Sequence, residues 1–97
     1  MKPYSIKLLK SKTYVLFSYN NNRDLILDSS FLRAASPSAE NKKHAKTLDR
    51  SRFENIKIIN IESVGNYAVK FIFDDGHSTG IYTWDYILEI GKKINPV

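Results

Sequence analysis

The stretch that decides the fold, residues 64–91, reads VGNYAVKFIFDDGHSTGIYTWDYILEIG. Apolar side chains alternate along its first part, which predicts a strand with one face turned toward the core. The side chains expected on that face are Tyr67, Val69, Phe71 and Phe73.

Asp75-Gly76 follows this strand and predicts a type I′ hairpin turn, in which both central residues need positive φ. A return strand is expected over residues 78–82, and Thr83 is expected to cap the helix that comes next. Apolar residues then recur at helical spacing until Gly91, where a glycine before lysines favours the end of the helix. The expected inward stripe of this helix consists of Trp84, Ile87, Leu88 and Gly91.

The first half of the chain repeats this plan. A short helix is expected around residues 31–33 with Ser29 or Ser30 as its cap, and Ser36-Pro37 predicts the start of another helix. Strands are expected over residues 5–10, 13–19, 24–28 and 56–61. The pattern predicts an α+β fold with two short antiparallel β-meanders, each followed by a short helix, in a single compact domain over residues 1–97.

Composition narrows the possible functions. The chain has 97 residues, 42% of them hydrophobic and 26% charged, which is typical of an ordinary globular domain. It has no cysteine, so disulfides, thiolate metal sites and cysteine nucleophiles are excluded. No apolar run approaches the roughly 18–20 residues of a membrane span, and lysines interrupt the amino-terminal apolar residues, unlike a signal peptide. We therefore expect a cytoplasmic protein without a membrane partner.

The net charge of +5 is concentrated in the first half of the chain. Residues 1–50 carry ten Lys/Arg against four Asp/Glu, and residues 51–97 carry five against six. Several of the basic residues lie between Lys42 and Arg52, a segment that could bind nucleic acid. No nucleic-acid motif accompanies the segment, so a solvated surface is the favoured interpretation.

Two further blocks carry a resemblance to a known family. Residues 31–40, FLRAASPSAE, and residues 74–84, DDGHSTGIYTW, resemble the two signature blocks of the gamma-butyrobetaine hydroxylase-like N-terminal domain family. That family includes small bacterial single-domain proteins of unknown function. The resemblance covers most of the chain, and the variable part lies around residues 41–52.

The resemblance implies a structural zinc site, which in the carnitine-pathway hydroxylases has three cysteine ligands and one histidine. The matching positions here are Ser36, Ser38, Asn41 and His77. Serine hydroxyls and an amide are poor substitutes for thiolates, so we expect a degenerate site with no metal and no cofactor. His77 is then expected to pack or to form hydrogen bonds, with metal binding beside His44 or Glu40 as the alternative.

Catalysis is not expected. In the related hydroxylases a separate domain carries the oxygenase site, and its position would be beyond Val97, the last residue of this sequence. An iron facial triad needs two histidines and a carboxylate, and neither of the two histidines here lies in a His-x-Asp pair. Asp74-Asp75 beside a glycine is typical of an exposed turn. Trp84 is expected in the core, although it could form a ligand platform in which Tyr82 and Tyr86 are better placed for contact.

The resemblance implies an interaction module, because relatives are fused to oxygenases and to P-loop ATPases that deliver iron–sulfur clusters. We expect a non-catalytic protein-interaction or regulatory module, accessory to iron–sulfur cluster assembly or to an oxygenase. Arg33 is the candidate exposed binding residue of the first block, with a surface or structural salt bridge as the other interpretation. The two blocks should be neighbours, as they are in relatives that complete a metal site. The candidate interaction face consists of Arg33, Ser36, Ser38, Glu40 and His77. The alternatives are metal or small-ligand binding through His77 and nucleic-acid binding through residues 42–52.

Overall fold

Two three-stranded antiparallel sheets and two helices make up the fold in a computed structural model that describes residues 2–9, 11–20, 23–37 and 53–94. Within each sheet the strands are neighbours in chain order. In order, the elements are β1 (Ser5–Leu8), β2 (Tyr14–Ser18), β3 (Asp24–Asp28), α1 (Ser29–Ala34), β4 (Ile58–Val64), β5 (Ala68–Phe73), β6 (Ile81–Thr83) and α2 (Trp84–Ile94). The prediction of an α+β fold with two meanders, each followed by a helix, is confirmed.

The first sheet follows the alternation of its sequence. Val15 and Phe17 of β2 are fully buried, and so is Leu27 of β3, which pairs with Val15. Tyr19, just after β2, is buried on the same side. The inward face therefore forms as the period of two predicts.

Helix α1 begins one residue earlier than a serine cap requires. Asp28 has the extended backbone of an N-cap, while the two serines bond elsewhere. The Ser29 hydroxyl donates to the carbonyl of Ile56, and the Ser30 hydroxyl donates to the carbonyl of Phe53 at 3.0 Å. The predicted serine cap is wrong because both hydroxyls hold the segment that leads into β4. Residues 36 and 37 lie outside any helix, and the rest of the helix predicted there falls outside the described residues.

In the second sheet, Tyr67 does not lie on the inward face where it was expected. Val69, Phe71 and Phe73 of β5 are buried as expected, whereas Tyr67 lies in the turn before β5 and is 53% exposed. The turn places Tyr67 before the first residue of the ladder, where alternation no longer determines which way a side chain points.

The turn after β5 is not of type I′. Gly76 has φ +89°, but Asp75 does not have positive φ. The Gly76 N–H donates to the carbonyl of Phe73 at 3.1 Å, and the Phe73 N–H donates to the carbonyl of His77 at 3.0 Å, so three residues form the loop. The return strand β6 starts only at Ile81. Residues 77–80 therefore leave the sheet, contrary to the expected strand over residues 78–82.

Helix α2 is capped as predicted and ends later than predicted. The Tyr86 N–H donates to the Thr83 hydroxyl at 3.2 Å. The helix continues through Gly91 to Ile94. Gly91 is explained by close packing and not by helix termination, since a Cβ there would lie 2.8 Å from Cδ2 of Leu25. Ile90 joins Ile87 in the core, while Trp84 is only partly buried.

The core lies between the two sheets and α2. Phe17 of the first sheet meets Phe71 of the second edge to face, with ring centroids 6.4 Å apart, and Phe71 meets Tyr82 at 4.8 Å. Among the residues that the structure describes, no helix is both long and apolar enough to cross a membrane.

Candidate functional site

The two signature blocks lie against each other and are joined by side-chain bonds. Arg33 at the end of α1 donates from Nε to Oδ2 of Asp75 at 2.8 Å. Three residues further along the chain, Ser36 Oγ lies 2.7 Å from Nε2 of His77. The expectation that the blocks are neighbours is confirmed, and we call this region the two-block face.

Local backbone geometry brings His77 to Ser36. Because residues 77–80 leave the sheet, the His77 side chain extends toward the end of α1 instead of into a ladder. Gly80 makes this approach possible, since a Cβ there would lie 2.2 Å from Ser36 Oγ and 3.1 Å from Cδ of Pro37. Its role was missed from the sequence, although a glycine three residues after the histidine was the available signal.

Arg33 is not an exposed binding residue. Its side chain is only 12% exposed, and its guanidinium carbon lies 4.5 Å from the centre of the Phe53 ring. With its guanidinium group over the Phe53 ring and its Nε bonded to Asp75, Arg33 connects three segments of the chain. Phe53 could not have been found from the sequence, because it lies twenty residues further along the chain.

Asp75 is the acidic side chain that links the two blocks. Its Oδ1 accepts the backbone N–H of His77 at 3.0 Å, and its Oδ2 accepts from Arg33. Burial alone would raise the pKa of Asp75, but these two hydrogen bonds and the positive charge of Arg33 outweigh burial and hold the pKa below its ordinary value. Asp75 is therefore a charged residue of the fold, while Asp74 accepts the Lys57 N–H through Oδ1 at 3.1 Å. Both contacts agree with the turn interpretation of Asp74-Asp75.

Two tyrosines form hydrogen bonds with the end of α1, which carries the first block of the two-block face. The Tyr82 hydroxyl donates to the carbonyl of Leu32, and the Tyr86 hydroxyl donates to the carbonyl of Ala35, both at 2.5 Å. Burial raises the pKa of both phenols. Tyr82 is fully buried, so the idea that it could contact a ligand is wrong. The two hydroxyls satisfy carbonyls at the end of α1, which would otherwise lack helical partners.

Trp84 lies at the other end of the second sheet. Its Nε1 donates to the carbonyl of Asn66 at 2.9 Å, and Nζ of Lys2 lies 5.9 Å from its ring centre. The expectation of a core tryptophan holds only in part, since Trp84 packs against the core but is only partly buried.

The residues at the implied zinc position do not suit zinc. Ser36 Oγ already bonds His77 Nε2, and a neutral hydroxyl is a poor zinc ligand. Within the described ranges, no three His, Cys, Asp or Glu side chains are grouped to hold a metal ion. Ser38, Glu40, Asn41, His44 and the basic residues 42–52 lie outside those ranges, so the metal and nucleic-acid alternatives that depend on them stay predictions.

Comparison with known proteins agrees with the resemblance. The sequence pattern of the family described as gamma-butyrobetaine hydroxylase-like, N-terminal, matches residues 6–88. Among curated proteins no match was found.

Solved structures extend the comparison to three dimensions. A crystal structure of a protein of unknown function from Acidithiobacillus ferrooxidans, a member of the DUF971 family, is similar at a TM-score of 0.73. It is 26% identical, and the match covers 93% of this chain and 92% of that one. Two structures determined in solution by NMR are 30% and 32% identical, with TM-scores of 0.71 and 0.73. Each of these matches covers 97% of this chain, and they cover 75% and 72% of the other chains respectively.

Proposed function

The chain belongs to the gamma-butyrobetaine hydroxylase-like N-terminal family, and from this premise we propose that it is a non-catalytic protein-interaction module. The proposal rests on one observation: polar side chains of the two-block face are hydrogen-bonded to each other. Arg33, Ser36 and Asp75 bond across the blocks, so they are engaged in the fold. The part of the face that a partner could still contact is the exposed surface of the turn in the second block.

That surface is the exposed part of the second block. Asp74, Asp75, Gly76 and Thr79 are exposed, and His77 is half-buried beside them. A turn held by an ion pair and by a bond to Ser36 presents its outer groups in one arrangement, so little conformational entropy is lost when a partner binds. Arg33 and Ser36 support this surface, and Ser38 and Glu40 stay predicted members of the face.

The proposed partner is a P-loop ATPase of iron–sulfur cluster assembly, with an oxygenase as the second candidate. The family resemblance supports both, because relatives of this domain are fused to these enzymes. A regulatory domain that is fused in one protein can act as a separate chain in another, where binding replaces the covalent link.

Calorimetric titration of the chain with the P-loop ATPase from the same organism tests the proposal. Thr79→Arg places a bulky charge on the exposed turn, where no described contact depends on Thr79, and it should weaken binding by about tenfold or more. Ser63→Arg adds the same side chain at an exposed position of β4 and should change the affinity by less than about twofold.

The outcomes separate the two parts of the proposal. Wild-type chain that does not bind the ATPase overturns the choice of partner. Binding that both variants weaken equally, or that neither weakens, overturns the choice of surface. Circular dichroism of both variants checks that each remains folded.

A further inference from the structure

The outer face of the first sheet is apolar at its centre. Leu16 lies in the middle strand, with Ile26 opposite it on β3 and Lys7 opposite it on β1. Tyr14, two residues before Leu16, points to the same side. Ile26 is 50% exposed and Tyr14 is 47% exposed, and Leu16 is partly buried but does not belong to the core cluster. These three side chains form one continuous patch, since neighbours across a sheet and along one face of a strand are in contact.

The second sheet lacks such a centre. The corresponding middle position on its outer face is Lys70, whose Nζ lies 3.5 Å from Oε1 of Glu62 on the neighbouring strand. This charged pair interrupts the apolar side chains of that face, on which Ile81, opposite Lys70 on β6, is 43% exposed. The first sheet has no described side chain that plays this part, so its outer face is the better candidate for burial against a partner.

Charges on this face are separated by strand. Lys7 lies on β1, while Asp24 and Asp28 lie on β3, on either side of Ile26. Outward-facing charges are therefore positive at one edge of the apolar patch and negative at the other. A face with this arrangement is complementary to itself after a half turn about an axis parallel to the strands.

We propose that the outer face of the first sheet is a self-association surface and that its occupant is a second copy of this chain. With the two-fold axis parallel to the strands, β1 of one copy lies over β3 of the other, and Leu16 lies over its own equivalent at the axis. Lys7 of each copy then faces Ile26 of the other, between Asp24 and Asp28. Face-to-face sheets pack about 10 Å apart, a gap that a lysine side chain can span.

The charges also select this arrangement over its alternative. An axis perpendicular to the strands, through the row of Lys7, Leu16 and Ile26, would place β1 over β1 and β3 over β3. Lys7 would then face Lys7, and Asp24 of each copy would face Asp28 of the other. Like charges facing each other at an interface oppose association, so only the parallel axis combines apolar contact with charge attraction.

Sedimentation velocity of the chain from about 1 μM to about 1 mM tests the proposal, because dimers of this kind should be populated within that range. Ile26→Lys places a charge in the patch and should weaken dimerisation by about tenfold or more. Ile59→Lys is the matched control, since Ile59 is 54% exposed on β4 and should leave dimerisation unchanged.

A charge exchange tests the orientation. Lys7→Asp and Asp24→Lys should each weaken the dimer, and the double variant should recover most of the loss. The proposal is overturned if the chain stays monomeric throughout the concentration range. This holds even if another segment of the chain or a different protein covers the patch. Dimerisation that Ile26→Lys and Ile59→Lys affect equally overturns it as well, and dimerisation without recovery in the double variant overturns the parallel axis.

Discussion

At the scale of single residues, the two-block face depends on a few side chains that do two tasks at once. Asp75 accepts from Arg33 with one oxygen and from the His77 backbone with the other. Ser36, at the position where the family resemblance implied a metal ligand, bonds to His77 directly. The link between the blocks is therefore made by hydrogen bonds and an ion pair, and it should respond to pH and to steric crowding.

The acid response should come from Asp75. Its pKa is held below the ordinary value, so its contribution to stability is present above about pH 4, the pKa of an unfolded aspartate, and is lost as the pH falls through the lower folded pKa. Urea denaturation across this range should show that the stability difference between wild type and Asp75→Asn shrinks at low pH. A constant difference for Asp75→Asn would contradict the assignment.

Steric crowding should act at Gly80. Gly80→Ala places a methyl group against Ser36 Oγ and Pro37 Cδ, and should lower the free energy of unfolding by about 1–3 kcal/mol. In a Ser36→Ala background the cost should be smaller, because the nearest atom is gone. Thr79→Ala, next to it and exposed, is the control. Equal costs of Gly80→Ala in both backgrounds would show that the contact with Ser36 is not the cause.

At the scale of elements, the fold consists of two units, each a meander with the helix that follows it. Side chains of each unit form hydrogen bonds with backbone carbonyls that lie outside it. The end of α1 receives hydroxyls from Tyr82 and Tyr86, and the serines at its start hold the segment before β4. Helix α2 has its own cap at Thr83, so its start is local in origin, whereas the need for a glycine at position 91 comes from the closeness of Leu25 in the first sheet.

The cap of α2 can be tested alone. Thr83→Ala removes the hydroxyl that accepts the Tyr86 N–H and should lower the free energy of unfolding by about 1 kcal/mol. Thr83→Ser keeps the hydroxyl and should recover most of this loss in urea denaturation. If serine is no better than alanine, the lost stability belongs to the threonine methyl group on β6.

At the scale of the whole molecule, the two meanders share one core. Phe71 of the second sheet touches Phe17 of the first as well as Tyr82. Because no unit buries its apolar face alone, the two should unfold together. Trp84 fluorescence reports on the second unit and far-ultraviolet circular dichroism on both, so their urea transitions should coincide.

The shared core predicts a contrast between two aromatic residues near one strand. Phe71→Ala should lower the free energy of unfolding by about 3–5 kcal/mol, and Tyr67→Ala should change it by less than about 0.5 kcal/mol because Tyr67 is largely exposed. Thermal and urea denaturation measure both. A comparable loss in the two variants, or separate transitions for the two optical signals, would show that the units are stabilised independently.

The sequence by itself determined the class of fold, the order of the elements and the inward faces of their strands. These follow from local causes: alternation along β2 and β5, the Thr83 cap, and helical spacing up to Ile87. It also predicted that the two signature blocks meet, through their resemblance to a family. The predictions of the turn at Asp75-Gly76, of the start of β6 and of the direction of the Tyr67 side chain were wrong. Each of these features lies where a strand meets a turn, and there the strand pattern and the turn pattern predict different structures.

Only the tertiary structure decided what the site residues contact. Arg33 was predicted either as an exposed binding residue or as a salt-bridge residue, and only the structure shows that it pairs with Asp75 and contacts Phe53, neither of which is near it in the sequence. Tyr82 was a possible contact residue and is instead a buried support for α1. Periodicity tells which side of an element a residue is on, but a partner for a polar group depends on segments brought together by the fold. For this reason local patterns predicted the scaffold of this chain, and long-range contacts determined its candidate site.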